Sequence, residues 1–130
     1  MNRLLLLLPV LIFMASGCAS TETVKEAQGQ GLSRAYQATY ESVFQATLDA
    51  ATARKLELVE SDRSSGRIVF SHSVSLWSWG ERIAVFVRST GPATTVVEVV
   101  SKPVLSPLNF PPDWQHILLD QIEAELQTKK

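Results

Sequence analysis

Residues 39–70 read TYESVFQATLDAATARKLELVESDRSSGRIVF, and the apolar period changes inside this stretch. Tyr40, Val43, Phe44, Thr47, Leu48 and Ala51 recur at spacings of three and four, which places them on one face of a helix. Thr39 suits the N-cap, where its hydroxyl accepts from a backbone N–H that has no partner inside the helix. Glu41 in the first turn and Arg54 and Lys55 in the last sit where the helix dipole favours their charges. Ala46, Ala50, Ala51 and Ala53 keep helix propensity high. From Leu56 the period is two. Leu56 and Leu58 alternate with Glu57, and SDRSSG closes a turn around Asp62 and Gly66 before Ile68 restarts the alternation.

Toward the C-terminus the alternation continues. In RIVFSHSVSLWSW, Ile68, Phe70, His72, Val74 and Leu76 share one face, and Ser71, Ser73, Ser75, Trp77 and Trp79 share the other. Arg82 to Arg88 and Thr94 to Lys102 make two further strands about the turn Thr90-Gly91-Pro92-Ala93. Four prolines between Pro103 and Pro112 exclude a regular element interior. Trp114, Ile117, Leu118, Ile122 and Leu126 then form the stripe of a final helix, with Pro112 and Asp113 suited to its start. The expected fold is α+β in two layers: a four-stranded antiparallel meander covered on one face by two helices, in the order αββββα. The other face, with its serines, Arg82, Arg88 and Glu98, and with Trp77, Trp79 and Phe86 as apolar exceptions, is left to water or a partner. Tyr36 and Ala38 fit either a short strand or an extended lead-in.

Toward the N-terminus, Ala19 to Arg34 is polar and shows no apolar period, so residues 18–34 read as a flexible tether and 35–130 as the single domain. Residues 1–18, MNRLLLLLPVLIFMASGC, have another character. Arg3 is the only charge, Leu4 to Met14 is an apolar run too short to span a membrane, and small residues precede Cys18. That is the layout of a signal peptide over 1–17. Ala15-Ser16-Gly17-Cys18 resembles the lipobox of bacterial lipoprotein precursors, departing from its commonest form at Ala15, where leucine is usual. The resemblance implies cleavage before Cys18 and acylation of Cys18, which makes membrane lipid the first partner. Two or three acyl chains on one residue anchor far more firmly than one. Ala19 and Ser20 lack the aspartate of an inner-membrane retention signal, so the expected location is the periplasmic face of the outer membrane.

No cysteine follows Cys18, so no disulfide forms within the mature chain. The mature chain is long enough for one small domain. Its net charge, −1 for all 130 residues and −2 once Arg3 is removed, offers no basic footprint for nucleic acid. Residues 36–69 are similar to the opening of several small bacterial lipoprotein domains, in which a helix leads into a strand, a polar turn, a glycine and a second strand. The layout also resembles the helix-and-sheet domains of BamC, a lipoprotein of the outer-membrane protein assembly machine. That resemblance implies a fold and a compartment and carries over no catalytic residue.

Candidate chemistries are few. His72 stands beside Ser71 and Ser73, but neighbours on a strand point to opposite faces, and no glycine-flanked nucleophile elbow is present. His116 and Asp120, four apart on a helix, supply two of the three or more ligands a metal needs. Glu60, Asp62 and Arg63 crowd a turn, where aspartate bonds its own backbone. Phosphate-cradling glycine patterns are absent. Trp77 and Trp79, with Phe86, are the candidates for contact with a partner; the alternative for the tryptophans is packing against the proline-rich loop near Phe110. The sequence thus points to a lipid-anchored, non-enzymatic binding or assembly accessory of the cell envelope, without cofactor, that meets an envelope protein. The alternative is a small-ligand or lipid-binding lipoprotein with a groove between the sheet and the final helix, and a hydrolase is third.

Overall fold

The computed structural model describes residues 21–73, 80–103 and 112–130. Its elements in chain order are α1 (Thr21–Glu26), β1 (Leu32–Tyr36), α2 (Tyr40–Ala53), β2 (Glu57–Asp62), β3 (Arg67–His72), β4 (Glu81–Gly91), β5 (Thr94–Pro103) and α3 (Trp114–Thr128). The strands form a five-stranded antiparallel sheet in the order β1-β5-β4-β3-β2. The architecture is α+β and the meander β2 to β5 is present, but the sheet has five strands rather than four. The element order is αβαββββα, not αββββα. None of the helices among the described residues is long and apolar enough to cross a membrane.

Both additions fall in the stretch read as a tether. β1 pairs with β5, Leu32 opposite Val99 and Tyr36 opposite Thr95. Its inward positions are Leu32, Arg34 and Tyr36. The middle one is a cation, which breaks the apolar alternation that marks a strand. Arg34 is accommodated because its guanidinium donates to Asp120 (2.8 Å) and Glu123 (3.4 Å) on α3. α1 and the turn after it contribute Val24 and Ala27 to the core, two residues that are too few to display a period. Residues 21–36 are therefore built into the domain, and the expected tether over 18–34 is corrected for that part.

The α2–α3 face carries the main core. Phe44, Val43 and Ala50 of α2 and Leu118, Leu119 and Ile122 of α3 pack on Ile68, Phe70, Ile83, Val85, Val97 and Val99. Burial of each large side chain contributes about 1.5–3 kcal/mol. Thr39 caps α2, its hydroxyl accepting from the Ser42 N–H at 3.2 Å, and Asp113 caps α3 in the same way through the His116 N–H. The opposite face is not left to water. α1 lies on it, and Val24 and Ala27 close a second small core with Val69, Ala84, Phe86 and Val100. The sheet is thus covered by helices on both sides.

The turn at 62–66 depends on Gly66, at φ +78°. A Cβ there would stand 2.0 Å from the Val87 carbonyl oxygen, and the Val87 N–H donates to Gly66 at 2.8 Å. Leu58 pairs with Phe70 ahead of a register irregularity in β2, the last strand in the sheet order, and there Leu58 (55% exposed) and Val59 (46%) are open to solvent. The alternation read from Leu56 and Leu58 therefore ends with Leu56, which is buried.

Candidate functional site

A groove of about 590 Å³ opens where β1 ends, α2 begins and α3 finishes. Ala35, Tyr36 and Ala38 form its sheet side, Glu41, Ser42 and Gln45 the α2 wall, and Glu123, Leu126, Gln127, Lys129 and Lys130 the α3 wall. Each part has a local cause. The short bend between β1 and α2 is fixed at Ala38, whose carbonyl accepts from the buried Thr95 hydroxyl at 2.9 Å. The Tyr36 phenol donates to the Leu119 carbonyl at 2.7 Å, so its ring lies under α3. Burial pushes that phenol well above its usual range and keeps it a donor. The far end of α3 is tied to α2 by Lys129, which donates to Asp49 at 2.6 Å. That hydrogen bond, with a second from Gln45, holds the Asp49 carboxyl below its usual range.

The groove has an apolar floor and a rim of both charges. Arg34 and Glu123 meet beside it at 3.4 Å, and Glu41 on the α2 wall is held by Arg63. The hydrogen bond to Asp120 raises the Arg34 pKa further. Among the described residues β1 is an edge strand with no neighbour on its outer side, and the groove lies at the end of that edge. Its lining offers hydroxyl, amide, carboxylate and ammonium groups to a ligand, and contains neither histidine nor cysteine.

Of the residues singled out in the sequence, those that the structure describes lie elsewhere. Cys18, Trp77 and Trp79 fall outside the described residues. Phe86 is 8% exposed beneath α1, not presented to a partner, because Val24 and Ala27 cover its face of the sheet. It also borders a hollow of about 450 Å³ with Ser33, Arg88, Val96 and Glu98. The Glu98 carboxylate there is occupied by the backbone N–H groups of Gly29 (2.8 and 2.9 Å) and Gly31 (3.2 Å). Gly31 passes so close that a Cβ would meet the Val99 carbonyl oxygen at 2.3 Å.

His72 is half-buried, and its Nδ1 lies 2.7 Å from the fully buried Glu81 carboxylate. The ring stacks obliquely on Trp114, centroids 4.9 Å apart. Neither Ser71 nor Ser73 bonds to it, so the histidine ties β3 to β4 under the start of α3. His116 turns to its own cap residue, Asp113, at 2.6 Å, whereas Asp120 is taken by Arg34, so the pair expected from their spacing does not form. Among the described residues no group of three His, Cys, Asp or Glu is placed to hold a metal ion. Asp62 accepts from the Ser64 hydroxyl (2.7 Å) and the N–H groups of Ser64 and Ser65. Those bonds, the Ser64 hydroxyl first, lower its carboxyl to about 2.

Sequence reasoning placed a groove between the sheet and the final helix only as an alternative, and named none of the residues that line this one. Its walls come from three elements far apart in the chain, and one of them, β1, was hidden by the inward Arg34. No family model and no curated protein matches this chain. Among solved structures it is similar to TTHA0849 from Thermus thermophilus, at 15% identity and a TM-score of 0.43. The match covers 76% of this chain and 97% of that one. That degree of likeness says nothing of activity, and no family assignment follows from it.

Proposed function

We propose that this chain is a lipoprotein held by acylated Cys18 on the periplasmic face of the outer membrane, and that its domain is a non-enzymatic binding module for an envelope protein. The run Leu4–Met14 followed by Ala15-Ser16-Gly17-Cys18 supports the anchor, and Ala19-Ser20 supports the outer membrane. The resemblance in layout to BamC-type domains agrees with that compartment. The observation that carries the binding role is the groove at the end of edge strand β1. An extended segment of a partner adding to such an edge gains main-chain hydrogen bonds, and a neighbouring groove selects its side chains.

Growth with radioactive palmitate tests the anchor: label is expected in the purified protein and is lost in Cys18→Ser. Photo-crosslinkers placed at Gln45 and Gln127 in the groove, and at Glu57 on the far sheet edge, test the binding role in intact cells. One envelope protein captured from both groove positions and not from Glu57 is expected. Capture from none of them, or equally from all three, argues against the reading. A second reading, a small-ligand lipoprotein, is favoured by the groove's volume, which falls within the range of about 300–1,000 Å³ usual for ligand sites. Native mass spectrometry of the protein extracted from membranes separates the two: a bound small molecule that Leu126→Glu expels favours the second.

A further inference from the structure

We infer that the segment which adds to β1 carries an apolar side chain and a cation two residues apart, the first entering the groove and the second meeting Asp120 and Glu123 beside Arg34. The inference rests on the binding role put forward above and names the chemistry of the occupant. Among the described residues the two edges of the sheet differ. β2 carries Glu57, Glu60 and Asp62 and a register irregularity, devices that keep a strand from pairing further. β1 has neither. Its five residues pair in unbroken register with residues 95–99, and its one charge, Arg34, is turned to α3. β1 is therefore the edge open to a further strand.

A strand laid on β1 turns successive side chains to opposite faces. Those opposite Arg34 and Tyr36 both lie on the α3 side, two residues apart, about 5 Å from the β1 side chains they face. The one opposite Tyr36 enters the groove over Ala38 and Leu126, where an apolar group fits. The one opposite Arg34 meets another setting. Leu118, Leu119 and Ile122 of α3 point into the core, and Gln121 is turned to α2, where Arg54 donates to it. Asp120 and Glu123 are left on the outer flank, both more than half exposed, and share the single guanidinium of Arg34. Two carboxylates on one cation leave a negative charge at that place. Over the rim as a whole the charges balance: Glu41 is matched by Arg63 and Lys129 by Asp49, and Lys130 on the α3 wall makes no ion pair among the described residues. The position of the charge selects, not its sum. Lys130 disfavours a cation in the groove, and the flank of Asp120 and Glu123 favours one two residues away. The intervening side chains face Ser33 and Ala35, which are small and exposed and admit any residue.

A fluorescein-labelled, threonine-rich peptide with leucine and lysine two positions apart, added to the protein extracted from membranes in detergent, tests this. Fluorescence polarisation is expected to show binding that weakens about tenfold when the leucine becomes serine. It is expected to weaken about threefold when the lysine becomes threonine. Moving leucine and lysine to adjacent positions is expected to weaken binding by about threefold or more, since a strand then turns one of them away from α3. Glu123→Gln is expected to abolish the preference for lysine, with Arg34 still held by Asp120. Photo-leucine in the peptide is expected to attach to Ala38 or Leu126. Equal affinity for the spaced and the adjacent peptides overturns strand addition, and attachment away from the groove overturns the register. A lysine preference undiminished in Glu123→Gln overturns the role of the α3 flank. No binding at millimolar peptide overturns this inference alone, because capture of one envelope protein from Gln45 and Gln127 would leave the binding role standing.

Discussion

Val24 is the residue on which the docking of α1 turns, and Val24→Ala measures it. Val24 is fully buried between α1 and the sheet, against Val69, Ala84, Phe86 and Val100. The substitution removes two methyl groups, about 0.8 kcal/mol each in transfer, and leaves a small cavity beneath a helix of six residues. The sum is about 2 kcal/mol. In a domain of this size that lowers the thermal midpoint by about 10 °C. The loss has a ceiling, because a helix this short can peel away before the sheet unfolds. Calorimetry of the chain from residue 18, carrying Cys18→Ser, should therefore be joined to amide exchange at Gly29 and Gly31. Their N–H groups are bonded to Glu98 and lie between α1 and β1, so peeling exposes them. A lower midpoint or faster exchange at both glycines is the expected outcome. An unchanged midpoint together with unchanged exchange would show that α1 is not held by Val24.

Three further outcomes follow from particular contacts. Gly66→Ala should cost about 3 kcal/mol, from the left-handed backbone and the loss of the Val87 N–H bond; a chemical-denaturation midpoint equal to the parent's would contradict the turn geometry. His72→Ala should destabilise by about 2 kcal/mol, because it takes a charge-assisted partner from the fully buried Glu81, and His72→Gln should recover part of that; equal losses in both would assign the effect to packing on Trp114 instead. Asp62 has a folded-state pKa of about 2, below the ordinary aspartate value of 3.8, so its contribution to stability is full above pH 3.8 and fades as pH falls toward 2. Denaturation curves of the parent and Asp62→Ala should diverge above that window and converge below it, and a gap undiminished at pH 2 would contradict the turn's dependence on the ionised carboxylate.

Much of the fold was legible where a long local pattern repeats. Tyr40 to Ala51 and Trp114 to Leu126 show helical spacing over several turns, and each became a helix; Thr39 caps the first as expected, and Asp113, read only as suited to the start of the second, proves to be its cap. Ile83, Val85 and Val87 alternate over a strand whose centre lies against both layers, so the pattern was plain even though its second face was misjudged. Phe86 and Ala84 on that face are apolar because α1 covers them. The sequence offered Val24 and Ala27 as the only hint of the cover. Leu58 shows the opposite error: its apolar character fits the alternation and it pairs with the inward Phe70, but at the end of the sheet it is left exposed.

The groove and the buried polar contacts were not legible, for a related reason. Arg34, Asp120 and Glu123 read separately as surface charges, yet their meeting joins β1 to α3 beside the groove. Glu81 reads as the polar start of a strand, and only the pairing of β3 with β4 sets it opposite His72 and out of water.

By itself the sequence determined the two long helices, the meander, the turn at Gly66 and the expectation of a lipid at Cys18, because periodicity, turn chemistry and a leader are written in neighbouring residues. The tertiary structure alone decided that residues 21–36 belong to the domain, that both faces of the sheet are covered, and that a groove opens at the end of β1. Five or six residues with one or two apolar side chains gain too little from local order to declare themselves. They are held by surfaces that distant strands supply, and those surfaces exist only once the chain has folded.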